Sequence, residues 1–285
     1  MPEPAANPEQ ADRPEPRPVW HLTLSYDGRA YYGWQIQPDR PTVQGLLETR
    51  LQLIFNSPEL HLAATSRTDA GVHALDQHTT FVVPAAASAE LTPPHVKRIM
   101  NRWLPLDIRV LACELREPDF NARYRAAGKA YTYAIANTAD VTPFESQYAW
   151  VYPNRPLDVP AMRAAAAMLE GLHDFASFAA NGKQAVEDTH RRLWKVELIT
   201  HGSWIYLNVL GESFLYKMVR AIAGLLLHVG RGSCAPEAVR GILDARNRRA
   251  AADSAPSQGL FLAKVFWSAD EWKAYTPKLP PFSAR

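Results

Sequence analysis

Trp20-His21-Leu22-Thr23-Leu24-Ser25-Tyr26, stopped by Asp27-Gly28, alternates strictly: Trp20, Leu22, Leu24 and Tyr26 fall on one side, His21, Thr23 and Ser25 on the other. Period-two alternation ended by a turn pair predicts a half-buried strand. Thr42 then stands as a cap before Val43 to Phe55, where Val43, Leu46, Leu47, Leu51, Leu53 and Ile54 give an apolar face at helical spacing. The same reading continues outward to strands at Leu60–Thr65 and Gln77–Val83, a helix at Pro93–Trp103 and a strand at Ile108–Leu115. The order β-α-β-β-α-β is the split ferredoxin-like unit, in which two helices cover one face of a four-stranded antiparallel sheet and leave the other free.

Beyond about residue 118 the theme recurs with longer connections. A strand is expected at Lys129–Ile135, a helix at Pro160–Glu170, strands at Leu193–Thr200 and Trp204–Leu210, a helix at Ser213–Val229, a short helix opening near Pro236, and a last strand at Leu260–Trp267. The fold class is therefore α+β, with two ferredoxin-like halves inferred from element order, since no sequence repeat is visible. The expected division is a Pro-rich disordered tail at 1–18, an N-terminal domain at 19–116, a C-terminal α+β domain at 117–275 and a short tail at 276–285. An open sheet face repeated twice suits unstacked nucleotides, but the unit serves many functions, so function must come from a site.

The 285 residues are 47% hydrophobic and 21% charged, which is ordinary globular usage. Cys113 and Cys234 are far apart, with no partner at metal-ligand spacing, so neither a disulfide framework nor a zinc site is signalled. The longest apolar run, Phe214–Val229, is interrupted by Lys217, Arg220 and His228, which argues against a membrane span. The tail holds six prolines and no apolar core of a secretory signal, so a cytoplasmic location is expected. Net charge is +2, only mildly basic, and arginine outnumbers lysine 23 to 8.

The sharpest local signal is Ser66-Arg67-Thr68-Asp69-Ala70-Gly71-Val72-His73-Ala74. It resembles the catalytic loop of the TruA family of tRNA pseudouridine synthases. Other stretches match that family in order: Ser25-Tyr26-Asp27-Gly28, Tyr31-Tyr32-Gly33-Trp34-Gln35, Thr42-Val43-Gln44, Asp119-Phe120-Asn121-Ala122-Arg123, Ala130-Tyr131-Thr132-Tyr133, Lys217-Met218-Val219-Arg220 and Gly259-Leu260-Phe261-Leu262. The departures are Ser66, where some members carry glycine, and Asn121, where histidine is frequent. The resemblance implies a pseudouridine-synthase fold with a central cleft, and isomerisation of uridine in the anticodon stem and loop of tRNA at positions 38, 39 and 40.

That reaction breaks the bond from ribose C1′ to uracil N1, turns the base and rejoins it through C5, so it adds no atom and implies no cofactor. The electron-poor sugar centre calls for an ionised carboxylate to attack or stabilise it. Asp69 is the candidate. Burial under a base would raise its pKa and a nearby arginine would lower it, so an arginine partner is required. Arg67 and Arg220 are both candidates on residue type alone; the resemblance assigns Arg220 to the ion pair and Arg67 to the RNA. Asp69-Ala70-Gly71 fits a turn needing glycine at positive φ, which would hold the carboxylate at the tip of a bend.

By the same resemblance Tyr131 lines the pocket, where its ring stacks on uracil or helps move the C5 proton, and Leu260 is an apolar wall. Gln44, Tyr32 and Trp34 are candidate RNA contacts. Tyr133 reads as a core residue, and His73, with no third ligand near it and His78, as one that shapes the loop. Arg123, Arg125 and Lys129 form one basic cluster and Arg191-Arg192 another, both candidates for phosphate. The resemblance further implies a homodimer that pools charge along tRNA. The rival readings are a tRNA-binding module without catalysis and an RNA N-glycosidase, which would need a second carboxylate such as Asp76.

Overall fold

The computed structural model describes residues 18–180 and 188–280, so the expected tails lie outside the described residues except for Pro18 and residues 276–280. The first half runs β1 (Val19–Tyr26), α1 (Val43–Ile54), β2 (Ala63–Ala64), β3 (His73–Phe81), α2 (Ala85–Ser88), α3 (Pro93–Trp103) and β4 (Ile108–Arg116). The second runs α4 (Ala122–Arg125), β5 (Gly128–Ala136), β6 (Trp150–Val151), α5 (Val159–Ala167), β7 (Gly171–Asp174), β8 (His190–His201), β9 (Trp204–Gly211), α6 (Met218–Gly230), α7 (Ala238–Asp244) and β10 (Leu260–Phe266).

All the main strands join one sheet in the order β4-β1-β3-β10-β5-β9-β8-β7, with β2 on β3 and β6 on β5. Taken half by half the order is β4-β1-β3-β2 and β10-β5-β9-β8. With the short β6 and β7 left out of the numbering, each places its fourth, first, third and second strand side by side, so the two halves share one topology. The halves are stitched by a short parallel pairing, Phe261 with His73 and Leu262 with Ala74.

One edge of β3 is occupied by β1 along its length, so β2 and β10 share the other. β2 holds Thr79 and Thr80 while β10 holds His73 and Ala74. This is why the strand expected over Leu60–Thr65 shrinks to two residues. Leu60 and Leu62 still point into the core, but Gln52 and Glu48 of α1 bond their backbone instead: Gln52 Nε2 donates to Leu60 O at 3.1 Å, and Leu62 N donates to Glu48 Oε1 at 2.8 Å. The helix expected from Ser213 begins at Met218, because Lys217 adopts φ 60° and cannot continue a right-handed turn.

One core runs under both halves. Trp20, Leu22 and Leu24 of β1 pack with Val43, Leu47, Leu51, Val96 and Met100 from α1 and α3. Ile135, Leu207 and Val209 pack with Met162, Ile222 and Leu225 from α5 and α6. The opposite face is not left free as expected. Phe266, Ala130 and Leu210 are covered by Trp194, Trp272 and Tyr275, and Phe120 and Trp267 pack on His21 and His78. No helix among the described residues is long and apolar enough to cross a membrane.

Candidate active site

Residues 66–72 leave the sheet at the fork where β2 gives way to β10, and they are pinned on both sides. Gln77 Nε2 donates to Ser66 O at 2.7 Å, Tyr26 and Thr68 share a hydroxyl bond of 2.8 Å, and Trp34 N donates to Thr68 O at 3.0 Å. Gly71, at φ 78°, closes the bend, with Val72 N bonded to Asp69 O at 3.1 Å and Gly71 N to Tyr31 O at 3.3 Å. A β-carbon at Gly33, itself at φ 89°, would stand 2.6 Å from Thr68 O, so the neighbouring segment can lie this close only as glycine.

Within this bend Thr68 faces the core, Arg67 is exposed and Asp69 turns towards α6. Arg220 Nη1 lies 3.1 Å from Asp69 Oδ2, each side chain keeping 15% exposure. The guanidinium is aimed from behind, because its Nε donates to Ala255 O at 2.7 Å and Ala255 N returns a bond to Arg220 O at 2.9 Å. The segment carrying Ala255 is held in turn by Tyr133, whose hydroxyl donates to Pro256 O at 2.8 Å, and by His73, whose Nε2 bonds Gln258 O at 3.1 Å. Burial pushes the Asp69 carboxyl above its usual range; the charge and hydrogen bond of Arg220 and the charge of Lys217 pull it down without cancelling that rise. The arginine therefore limits the shift rather than reversing it.

Tyr131 is nearly buried on β5, its hydroxyl 2.6 Å from Ser66 Oγ and its ring edge-on to Phe214 at 5.0 Å. Burial pushes its phenol up to about 12, so it keeps its proton at neutral pH. Lys129 lies two residues earlier on the same face of the strand, little exposed, and burial beside Arg123 lowers its amine to about 8. Arg123 is exposed on α4 with its guanidinium 5.6 Å from the Tyr124 ring, whereas Arg125 is taken up by Asp119 at 3.0 Å. Leu260 is buried at the start of β10, opposite Tyr133.

The other expected residues are held elsewhere. Gln44 spans α1 and its neighbours, donating to Glu48 Oε1 at 2.8 Å and accepting from Ile36 N at 3.4 Å. Arg191 and Arg192 lie on β8, separated from β5 by β9, and Arg192 pairs with Glu212 at 3.3 Å. Asp76 falls on the sheet face opposite the core, with Lys264 Nζ at 2.9 Å, Val265 N at 2.9 Å and His78 Nε2 at 3.3 Å; these partners hold its carboxyl well below the usual range. It offers no second acid beside Asp69. Among the described residues no cluster of three His, Cys, Asp or Glu is arranged to hold a metal.

Sequence reading missed four contributors. In sequence Ser66 stands out only as a departure from glycine, and Lys217 only as a break in an apolar run and part of a stretch that matches the family. Tyr133 is in the core as expected, yet its hydroxyl holds the segment that orients Arg220. The Ala255 carbonyl has no sequence signal at all, since every residue carries one.

A family model for tRNA pseudouridine synthase matches residues 23–125 and 165–268. Among curated relatives, the tRNA pseudouridine synthase A of Moorella thermoacetica is 41% identical over 250 residues, covering 87% of this chain and 99% of that protein. Proteins of the same name from Geobacillus sp. (strain WCH70) and Bacillus subtilis are 38% and 37% identical, each covering 86% of this chain and 96% and 97% of theirs. The family match falls in two blocks, one in each half of the sheet, and the relatives align almost from end to end. On both grounds the chain belongs to the tRNA pseudouridine synthase family.

Proposed function

We propose that this chain isomerises uridine to pseudouridine in tRNA, with Asp69 as the nucleophile. The observation that carries the reading is the single, mostly buried carboxylate held 3.1 Å from a guanidinium that a backbone carbonyl keeps in aim. Attack of Asp69 at C1′ forms an ester and expels uracil through N1; the base turns, C5 bonds to C1′ and releases the Asp69 carboxylate, the C5 proton is lost and N1 gains one, so atoms balance with no added reagent. Arg220 keeps the carboxylate ionised in a site where burial opposes it. Tyr131, protonated at neutral pH, offers its ring for stacking on uracil, and Leu260 is an apolar wall for the base.

A uridine inside an RNA stem must be extruded first, at a cost of a few kcal/mol. Arg67, exposed on the loop that carries Asp69, takes the position the base vacates, and Lys129 and Arg123 meet phosphate. Gln44 contributes by holding α1 against its neighbouring loops, with RNA contact as a further role. The target uridines are those of the anticodon stem and loop, and the chain acts as a cytoplasmic homodimer whose two copies pool a modest positive charge.

The test is to map pseudouridine in bulk tRNA from cells with and without this chain, and to repeat the reaction with Asp69→Asn. Loss of pseudouridine with tRNA affinity retained supports the enzyme; full activity in the variant overturns Asp69, and free uracil among the products would return the glycosidase reading.

A further inference from the structure

Tyr31 to Thr42 form a tab lying against the catalytic loop. Its inner side is bonded on both flanks of Asp69, through Trp34 N to Thr68 O at 3.0 Å and Gly71 N to Tyr31 O at 3.3 Å. Its own backbone is closed by Tyr32 N to Pro41 O at 2.9 Å, Gln37 Nε2 to Tyr32 O at 2.7 Å and a bridge between Gln37 and Arg40. It is also fixed to the start of α1, by Val43 N to Gly33 O at 3.2 Å and Gln44 N to Trp34 O at 2.9 Å.

The outward side of this tab includes Tyr32, Ile36 and Arg40. Tyr32 is 43% exposed, Ile36 49%, and the exposed Arg40 lays its guanidinium 4.2 Å above the Tyr32 ring. Among the described residues no carboxylate pairs with Arg40, although seven arginine–carboxylate pairs occur elsewhere. A flat cationic π surface whose guanidinium is not tied up in an ion pair, although Asp39 adjoins it in sequence, fits a partner that is planar and polyanionic. A nucleobase on its phosphate backbone is such a partner, because bases stack on guanidinium planes and aromatic rings alike. The position adds a reason: extruding a uridine strips its neighbours of a stacking partner, and the tab is bonded to the loop that receives that uridine.

We infer that the Tyr32–Arg40 stack is a binding platform for an unstacked RNA base adjacent to the target nucleotide. The inference rests on the proposed function and deepens it by adding a substrate-gripping surface outside the catalytic pocket.

The test uses the full chain with substrate tRNA, comparing Tyr32→Ala, Tyr32→Phe, Arg40→Ala and Arg40→Lys for KM, kcat and, separately, Kd at fixed salt. Losing a stacking partner weakens single-strand binding roughly five- to hundred-fold. Tyr32→Ala and Arg40→Ala are expected to raise KM and Kd within that range, with a double variant little worse than either single one. Tyr32→Phe, which keeps the ring, should stay near wild type, and unchanged melting of Arg40→Ala shows that the fold is intact. Arg40→Lys is decisive: an ammonium has charge but no plane. If it behaves like Arg40→Ala the platform stands; if it restores wild-type KM and Kd, Arg40 only meets a phosphate and the platform is overturned, as it is if the alanine variants bind normally. Absence of pseudouridine formation by the wild type would sink the proposed function instead, and Kd would still judge the platform by itself.

Discussion

Arg220→Ala removes two contacts, the 3.1 Å pairing with Asp69 Oδ2 and the 2.7 Å bond to Ala255 O. An opposite charge this close lowers a carboxyl pKa by about 1–3 units. Both side chains keep 15% exposure, so solvent screens part of that effect, and the lower half of the range applies, roughly 1–2 units or about 1.4–2.7 kcal/mol. Burial already holds Asp69 above the usual carboxylate range, and the variant moves it higher still. In the proposed function the carboxylate form of Asp69 is the nucleophile, so the rate falls as pH drops through this pKa. The acid limb of the pH–rate profile should therefore shift upward by about 1–2 units, a deficit of roughly 10- to 100-fold below both limbs that narrows above them. Single-turnover pseudouridine formation at saturating enzyme from pH 5 to 9 removes binding from the readout. An acid limb that coincides with wild type would refute the claim that this guanidinium controls Asp69 ionisation.

Three other outcomes follow from the same structure. Asp69→Asn abolishes turnover but does not lower the unfolding midpoint: a carboxyl raised in the folded state costs stability increasingly as pH climbs from its unfolded pKa through its folded one, and Asn removes that cost, so thermal melts of the two proteins should diverge at neutral pH and converge in acid. His21, buried against His78 and lowered from 6.5 to about 4, contributes stability that is present above pH 6.5 and lost as pH falls towards 4; the loss is of the order of 3 kcal/mol by urea unfolding, and His21→Asn should flatten it. Gly224→Ala places a β-carbon onto the Asp253 carbonyl oxygen one turn after Arg220, so it should cost about 1–3 kcal/mol in unfolding experiments and lower kcat by displacing the Ala255 anchor.

Local pattern made β1, α1 and α3 legible. Their periodicity belongs to the segment itself, and their punctuation is chemical: the Thr42 side chain caps α1 by accepting from Gly45 N at 3.3 Å, and Pro93 opens α3. What escaped was set by competition or by backbone. Leu60–Thr65 alternates like a strand, but whether it pairs depends on β10, nearly 200 residues later in the chain, taking half of the available edge of β3. The apolar periodicity from Phe214 onward extends through residues that are not helical, because a lysine at positive φ leaves no mark in sequence. Asp69 and Arg220 are 151 residues apart, and Arg220 on its own looks like one charge in a helical stripe; only the family resemblance joined them before the fold did.

The topology also accounts for why a duplicated fold carries one such loop rather than two. In each half the loop in question joins the second and third strands. In the second half that connection, between β8 and β9, is a tight turn with Gly202 at φ 57°, and the strands pair from Leu193 with Gly211 to His201 with Trp204. A ladder running that far down to the turn leaves no residues free to hold a carboxylate. In the first half the intrusion of β10 cuts the equivalent ladder to two pairs and releases residues 66–72 from the sheet. The intruding strand is continuous with the segment that aims Arg220 through Ala255, so the event that frees the loop also brings its counter-charge. Asp69 and Ser66 come from one half, Arg220, Tyr131 and Leu260 from the other. Neither half alone brings the Asp69 carboxyl and its counter-charge together, and the stitch between β3 and β10 is the structural element on which that pairing depends.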